Sequence, residues 1–72
     1  MNKKYIAEQE ALVDDWNAKY PIGTEVQVTL DLGEILNTKT RSIAWCLGHG
    51  AAIIKVEGIS GGYLLERVKV VQ

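Results

Sequence analysis

The chain has a single cysteine and a single histidine among its 72 residues, and this scarcity removes covalent and metal reinforcement. One thiol cannot close a disulfide within the chain, and one Cys with one His cannot furnish the four N or S ligands of a structural zinc site. No apolar run is long enough to span a membrane, and no signal-peptide pattern opens the sequence. Cys46, set among apolar neighbours, therefore reads as a small buried hydrophobe in a reducing cytoplasm. Charge of one sign is also lacking: the net charge is only −1, which argues against a general nucleic-acid binder and against duplex binding in particular. Length is the last shortage. A single core below ~80 residues contributes only ~3–5 kcal/mol of net stability, so one domain is expected, and self-association as a dimer or tetramer is the expected source of further burial.

What is present is unevenly placed. Residues 1–38 carry three Lys against seven acids, whereas residues 39–72 carry five basic residues against two acids. Five of the seven glycines lie between Thr40 and Tyr63, within the cationic half. That asymmetry suits a small anionic ligand better than an extended polyanion.

Two periodicities organise the chain. Asn2 is placed to cap a helix running to about Ala18, with Tyr5 or Ile6, Gln9, Leu12 or Val13, and Trp16 at helical spacing. Lys4, Glu8, Ala11 and Asp15 fall on the opposite, wet face. Pro21 and Gly23 stop the helix. The period then changes to two, Val26, Val28 and Leu30 alternating with Glu25, Gln27 and Thr29, as in a half-buried strand. Asp31-Leu32-Gly33-Glu34 reverses the chain. Further strands are expected at Ile35 to Thr40, Ile53 to Val56 and Val68 to Val71, with a 3₁₀ turn within 63–67. Residues 42–48 fit either a capped turn or an apolar strand, and the Ser42 to Gly48 start-and-stop pair favours a short turn or irregular connection. The expected fold is α+β and mostly β, with an N-terminal helix (residues 1–20) packed on a small antiparallel SH3-like barrel (residues 24–72).

The chemistry-bearing groups cluster in the glycine-rich half. Thr40, Arg41 and Ser42 place a guanidinium between two hydroxyls, the pattern of an anion site. Trp45, His49 and Tyr63 offer aromatic faces or donors, and Ser60 and Gly61 offer a hydroxyl and free amides. Each has a plainer reading: Arg41 can pair with Glu34 or Glu57, Trp45 can pack in the core, and Tyr63 can sit on a rim. Trp16 and Tyr20 are read as packing the helix on the sheet. An enzyme finds no support here. The lone His has no recognisable nucleophile partner, Asp14-Asp15 lies on a solvated face, and Gly58-Ile59-Ser60-Gly61-Gly62 is neither a Walker loop nor a dinucleotide fingerprint. No cofactor and no metal ligand set is expected.

Three segments carry a resemblance: Trp16-Asn17-Ala18-Lys19-Tyr20-Pro21-Ile22-Gly23-Thr24, Thr38-Lys39-Thr40-Arg41-Ser42-Ile43-Ala44-Trp45, and Val56-Glu57-Gly58-Ile59-Ser60-Gly61-Gly62-Tyr63-Leu64-Leu65-Glu66-Arg67-Val68. Over nearly its whole length the chain resembles a widespread family of short phage and prophage proteins, and it looks like the anti-CBASS sponges. The resemblance implies an oligomer in the host cytoplasm that sequesters a cyclic dinucleotide immune signal without catalysis. A two-fold pocket would supply each binding element twice, which one short chain cannot do. Two rival classes remain, an SH3-like protein-interaction module and, lower, a single-stranded nucleic-acid binder, which would need a longer basic groove.

Overall fold

The structure, a computed structural model, describes residues 3–48 and 50–71. The Asn2 cap and His49 thus lie outside the described residues. Helix α1 spans Lys3–Lys19. It presents Ile6, Gln9, Val13 and Trp16 inward, while Lys4, Glu8, Ala11 and Asp15 are exposed, as the spacing predicts. Tyr5 and Leu12, the alternative members of the stripe, remain exposed. Trp16 reaches the core and meets Tyr20 edge-on with ring centroids 4.7 Å apart. Both aromatics therefore do the packing expected of them. The helix closes with Tyr20 N–H donating to the Trp16 carbonyl at 2.8 Å, and Gly23 then takes a φ of 96° that other residues rarely adopt.

Strand β1 (Glu25–Thr29) alternates faithfully, Val26 and Val28 facing the core and Glu25, Gln27 and Thr29 facing solvent. It pairs antiparallel with β2 (Ile35–Lys39) in the register Gln27↔Asn37. The turn between them is closed by Leu30 N–H on the Glu34 carbonyl at 2.8 Å. Downstream come β3 (Trp45–Cys46), β4 (Ala52–Ile54), β5 (Tyr63–Leu64), a 3₁₀ turn (Leu65–Arg67) and β6 (Val68–Val70). Strand β6 returns to the other side of β1, giving a first sheet of order β2-β1-β6, and the second sheet has the order β3-β4-β5.

The expected α+β fold, an N-terminal helix with antiparallel strands, is met, and one finer expectation is corrected. Among the described residues the strands form two small antiparallel sheets and no closed barrel. The junction between the sheets is a single bridge, Thr40↔Val56, flanked by Arg41 N–H on the Lys55 carbonyl and Glu57 N–H on the Lys39 carbonyl. The short turn or irregular connection favoured for residues 42–48 gives way to β3 at Trp45–Cys46, while residues 42–44 stay irregular. Ser42 does not cap a helical turn. Its hydroxyl accepts from Lys55 N–H at 3.0 Å and donates to the Ile43 carbonyl at 2.9 Å, leaving Trp45 and Cys46 extended opposite Ile53 and Ala52. The 3₁₀ turn occurs as expected, preceded by a strand, β5, that the sequence reading did not separate.

The helix is tied to the second sheet by two side-chain amides. Asn17 donates through Nδ2 to the Ala44 carbonyl at 3.0 Å and accepts from Ala44 N–H at 2.9 Å, while Gln9 Oε1 accepts from Ala52 N–H at 2.8 Å. These bonds replace strand neighbours that β3 and β4 lack at those positions. The core formed by Trp16, Val26, Val28, Ile54, Val56 and their neighbours lies between the sheets and the helix. Among the described residues no helix is long and apolar enough to cross a membrane.

Candidate functional site on the second sheet

Cross-strand neighbours in a sheet share a face, so the registers Trp45↔Ile53 and Ile53↔Leu64 align three apolar side chains on one side of the second sheet. The alternate residues Ala44, Ala52 and Ile54 belong to the main core, and Trp45, Ile53 and Leu64 do not. Ile53 is nevertheless buried. Gly62 makes this possible, because a Cβ at that position would stand 2.7 Å from Ile53 Cδ1. The outer face thus has its own small apolar layer, with Trp45 half-buried upon it.

Two cations border this layer. Lys55 holds its ammonium 6.0 Å from the centre of the Trp45 ring, at the limit of a cation–π contact. Arg41 donates through Nε to the Val56 carbonyl at 3.0 Å and through Nη2 to the Ile59 carbonyl at 3.1 Å, clasping the turn between them. It uses carbonyls rather than Glu34 or Glu57. Among the described residues no ion pair neutralises it. Ser60 and Gly61 follow directly on this turn and are exposed, Gly61 with a φ of 75°.

Other residues singled out by the sequence serve the frame instead. Thr40 is only 2% exposed, and its Oγ1 accepts from the N–H groups of Gly23 and Thr24 at 3.0 and 3.2 Å, fastening the end of the helix connection. Ser42 joins β4 as described above. Tyr63 packs against the core and donates its hydroxyl to Asp31 Oδ1 at 3.0 Å, so it pins the β1–β2 turn. Desolvation, followed by the hydrogen bond and charge of Asp31, raises its phenol above the ordinary value of 10.0. The structure therefore leaves Trp45 beside Lys55 and Arg41 on the turn that leads to Ser60 and Gly61, and it sets Thr40, Ser42 and Tyr63 into hydrogen bonds of the frame.

Lys55 is the residue that sequence reasoning missed. Its signal was the one charge inside the apolar run from Ala51 to Val56, which marks the outward phase of that strand. Another depression, about 420 Å³, lies elsewhere, at the end of the first sheet. There Lys39 stands between Glu25 and Glu57, and two carboxylates around one ammonium make a poor place for phosphate. The second sheet, by contrast, carries Lys55 and Arg41 with no ion-pair partner among the described residues. Among the described residues no group of three or more Cys, Asp or Glu is arranged to hold a metal.

Compared with known proteins, the chain matches no protein-family model, no curated protein and no solved structure.

Proposed function

We propose that this protein binds an anionic cyclic dinucleotide on the outer face of the second sheet, in a site shared between subunits, and sequesters it without chemistry. The observation that carries the reading is the placement of Lys55 against Trp45, together with the un-neutralised guanidinium of Arg41, whose backbone N–H bonds the Lys55 carbonyl. An indole face holds a base, and two cations beside it hold phosphate. The exposed amides and hydroxyl at Ser60 and Gly61 add neutral donors to the same rim. An open face encloses no ligand by itself, so a second subunit closes the site in this reading. The resemblance to short phage proteins of the sponge type supplies the biological setting, a host cytoplasm in which binding alone removes an immune signal.

The finer architecture belongs to the same proposal. Strands β2 and β3 read as two halves of one bent strand meeting at Thr40, followed by β4, β5, the 3₁₀ turn and β6. That order gives the layout of an SH3-like barrel.

A specific observation also favours a protein-interaction module. Ile43 and Leu47, two residues either side of Trp45, are 59% and 56% exposed, and apolar groups in a row suit a protein surface. Native mass spectrometry with a panel of cyclic dinucleotides and linear controls separates the two readings. The sponge reading predicts an oligomer carrying bound cyclic nucleotide; a bare 8 kDa species under every condition would reject it.

A further inference from the structure

A second cleft touches Trp45 from the helix side, and its chemistry is opposite in sign. It lies between α1 and β3, measures about 210 Å³, and is walled by Val13, Ala44, Trp45 and Cys46 with Glu10 and Asp14 at its edge. These two carboxylates stand four residues apart on α1, on one helical face. Asp15 next to them pairs with Lys19 at 3.1 Å, whereas Glu10 and Asp14 have no ion-pair partner among the described residues.

We infer that this cleft is a docking site for a cationic side chain, arginine or lysine, presented by a partner protein. The inference goes beyond the nucleotide reading and does not rest on it. Charge complementarity commits the occupant: a phosphate would meet two carboxylates, while a guanidinium or ammonium would neutralise them. The walls suit the rest of such a side chain. A methylene stem lies against Val13, Ala44 and Cys46, and the charged head reaches the carboxylates while the indole of Trp45 offers its π-face. Size agrees, because ligand pockets for whole small molecules run from ~300 to ~1,000 Å³ and this cleft is smaller. The field of the two carboxylates is felt inside it: after desolvation, Glu10 and Asp14 are what raise the Cys46 thiol above its ordinary value of 9.0. A thiol so placed stays protonated and weakly reactive, and it acts as an apolar wall.

The test is a two-dimensional NMR titration of the ¹⁵N-labelled full chain with Nα-acetyl-arginine methylamide, with the glutamate and norleucine analogues as controls. The arginine probe should move the indole N–H of Trp45 and the amides of Asp14 and Cys46 and leave the indole of Trp16 in place. The double variant Glu10→Gln/Asp14→Asn should weaken that binding about tenfold, the scale of two partly screened ion pairs. Equal shifts with norleucine, no shift with arginine, or an unchanged double variant would each overturn the proposal. Sedimentation of the same variant covers the remaining occupant. If the two substitutions dissolve an oligomer of the native chain, the cleft is filled by the chain's own basic residues, and the assignment to a separate partner falls.

Discussion

The two sheets hold together by different means. In the first, β1 alternates apolar and polar side chains, its register with β2 runs unbroken from Glu25↔Lys39 to Thr29↔Ile35, and the outer face is mostly polar, with Ile35 the exposed exception. In the second, strands of two and three residues are held by side chains bonded to backbone: Asn17 at Ala44, Gln9 at Ala52, Ser42 at Lys55 and Arg41 at Val56 and Ile59. Its outer face is apolar, bordered by cations on one side and by the acidic helix on the other. The first sheet is a scaffold specified by burial. The second is a surface specified by individual polar contacts, and the candidate binding groups stand there.

The largest effect should come from the core that both sheets share. Trp16→Ala should cost ~3–5 kcal/mol, the usual penalty for emptying a buried aromatic site, enough to abolish the cooperative urea transition of a 72-residue chain. A folded variant with a small shift in midpoint would show that the helix is not needed to unite the sheets.

Asn17→Ala separates the sheets more selectively. It leaves the N–H and C=O of Ala44 without their partners, a loss of ~1–3 kcal/mol for part-buried groups. Hydrogen exchange should accelerate in β3 and β4 while β1 and β2 keep their protection. Uniform loss across both sheets would mean that they open as one unit.

Arg41→Ala is expected to cost stability as well as binding, because the guanidinium clasps the turn that carries Ser60 and Gly61. The stability part is ~1–2 kcal/mol, since these hydrogen bonds to a charged donor are partly exposed. Arg41→Lys separates the roles: it keeps the charge and loses the fork. Thermal melts should show both variants destabilised, and nucleotide affinity should recover only in the lysine variant.

The smallest effect concerns Tyr63. Its phenol is raised in the folded protein, so folding favours the protonated form. That contribution is complete below the unfolded phenol value near ~10 and is lost as pH rises through it toward the higher folded value. Urea midpoints between pH 8 and 11 should therefore fall more steeply in the native chain than in Tyr63→Phe, and parallel curves would show that desolvation and Asp31 together do not raise the phenol.

These contrasts also explain what could be read from the sequence. Helix α1, β1, β2, the 3₁₀ turn and β6 follow from spacing and turn residues, because burial on one face leaves a periodic trace. Strand β3 leaves none: its extended form depends on Ser42 bonding a residue 13 positions away and on Asn17 bonding Ala44 across 27. For the same reason hydroxyls at Thr40 and Ser42 resemble anion ligands in sequence and prove to be fastenings. Lys55 is the converse case, a binding candidate concealed in an apolar run. Residue type reveals what a group can bond, and only the fold reveals what it does bond.

The central claim is that the outer face of the second sheet binds nucleotide through Trp45 and Lys55. Isothermal titration of the native chain, Trp45→Leu and Lys55→Gln with whichever cyclic dinucleotide binds in native mass spectrometry tests it directly. Both variants should stay folded, with a loss of ~1–3 kcal/mol for Trp45→Leu, the worth of one base stack, and a smaller, salt-dependent loss for Lys55→Gln. Unchanged affinity in both folded variants would contradict it.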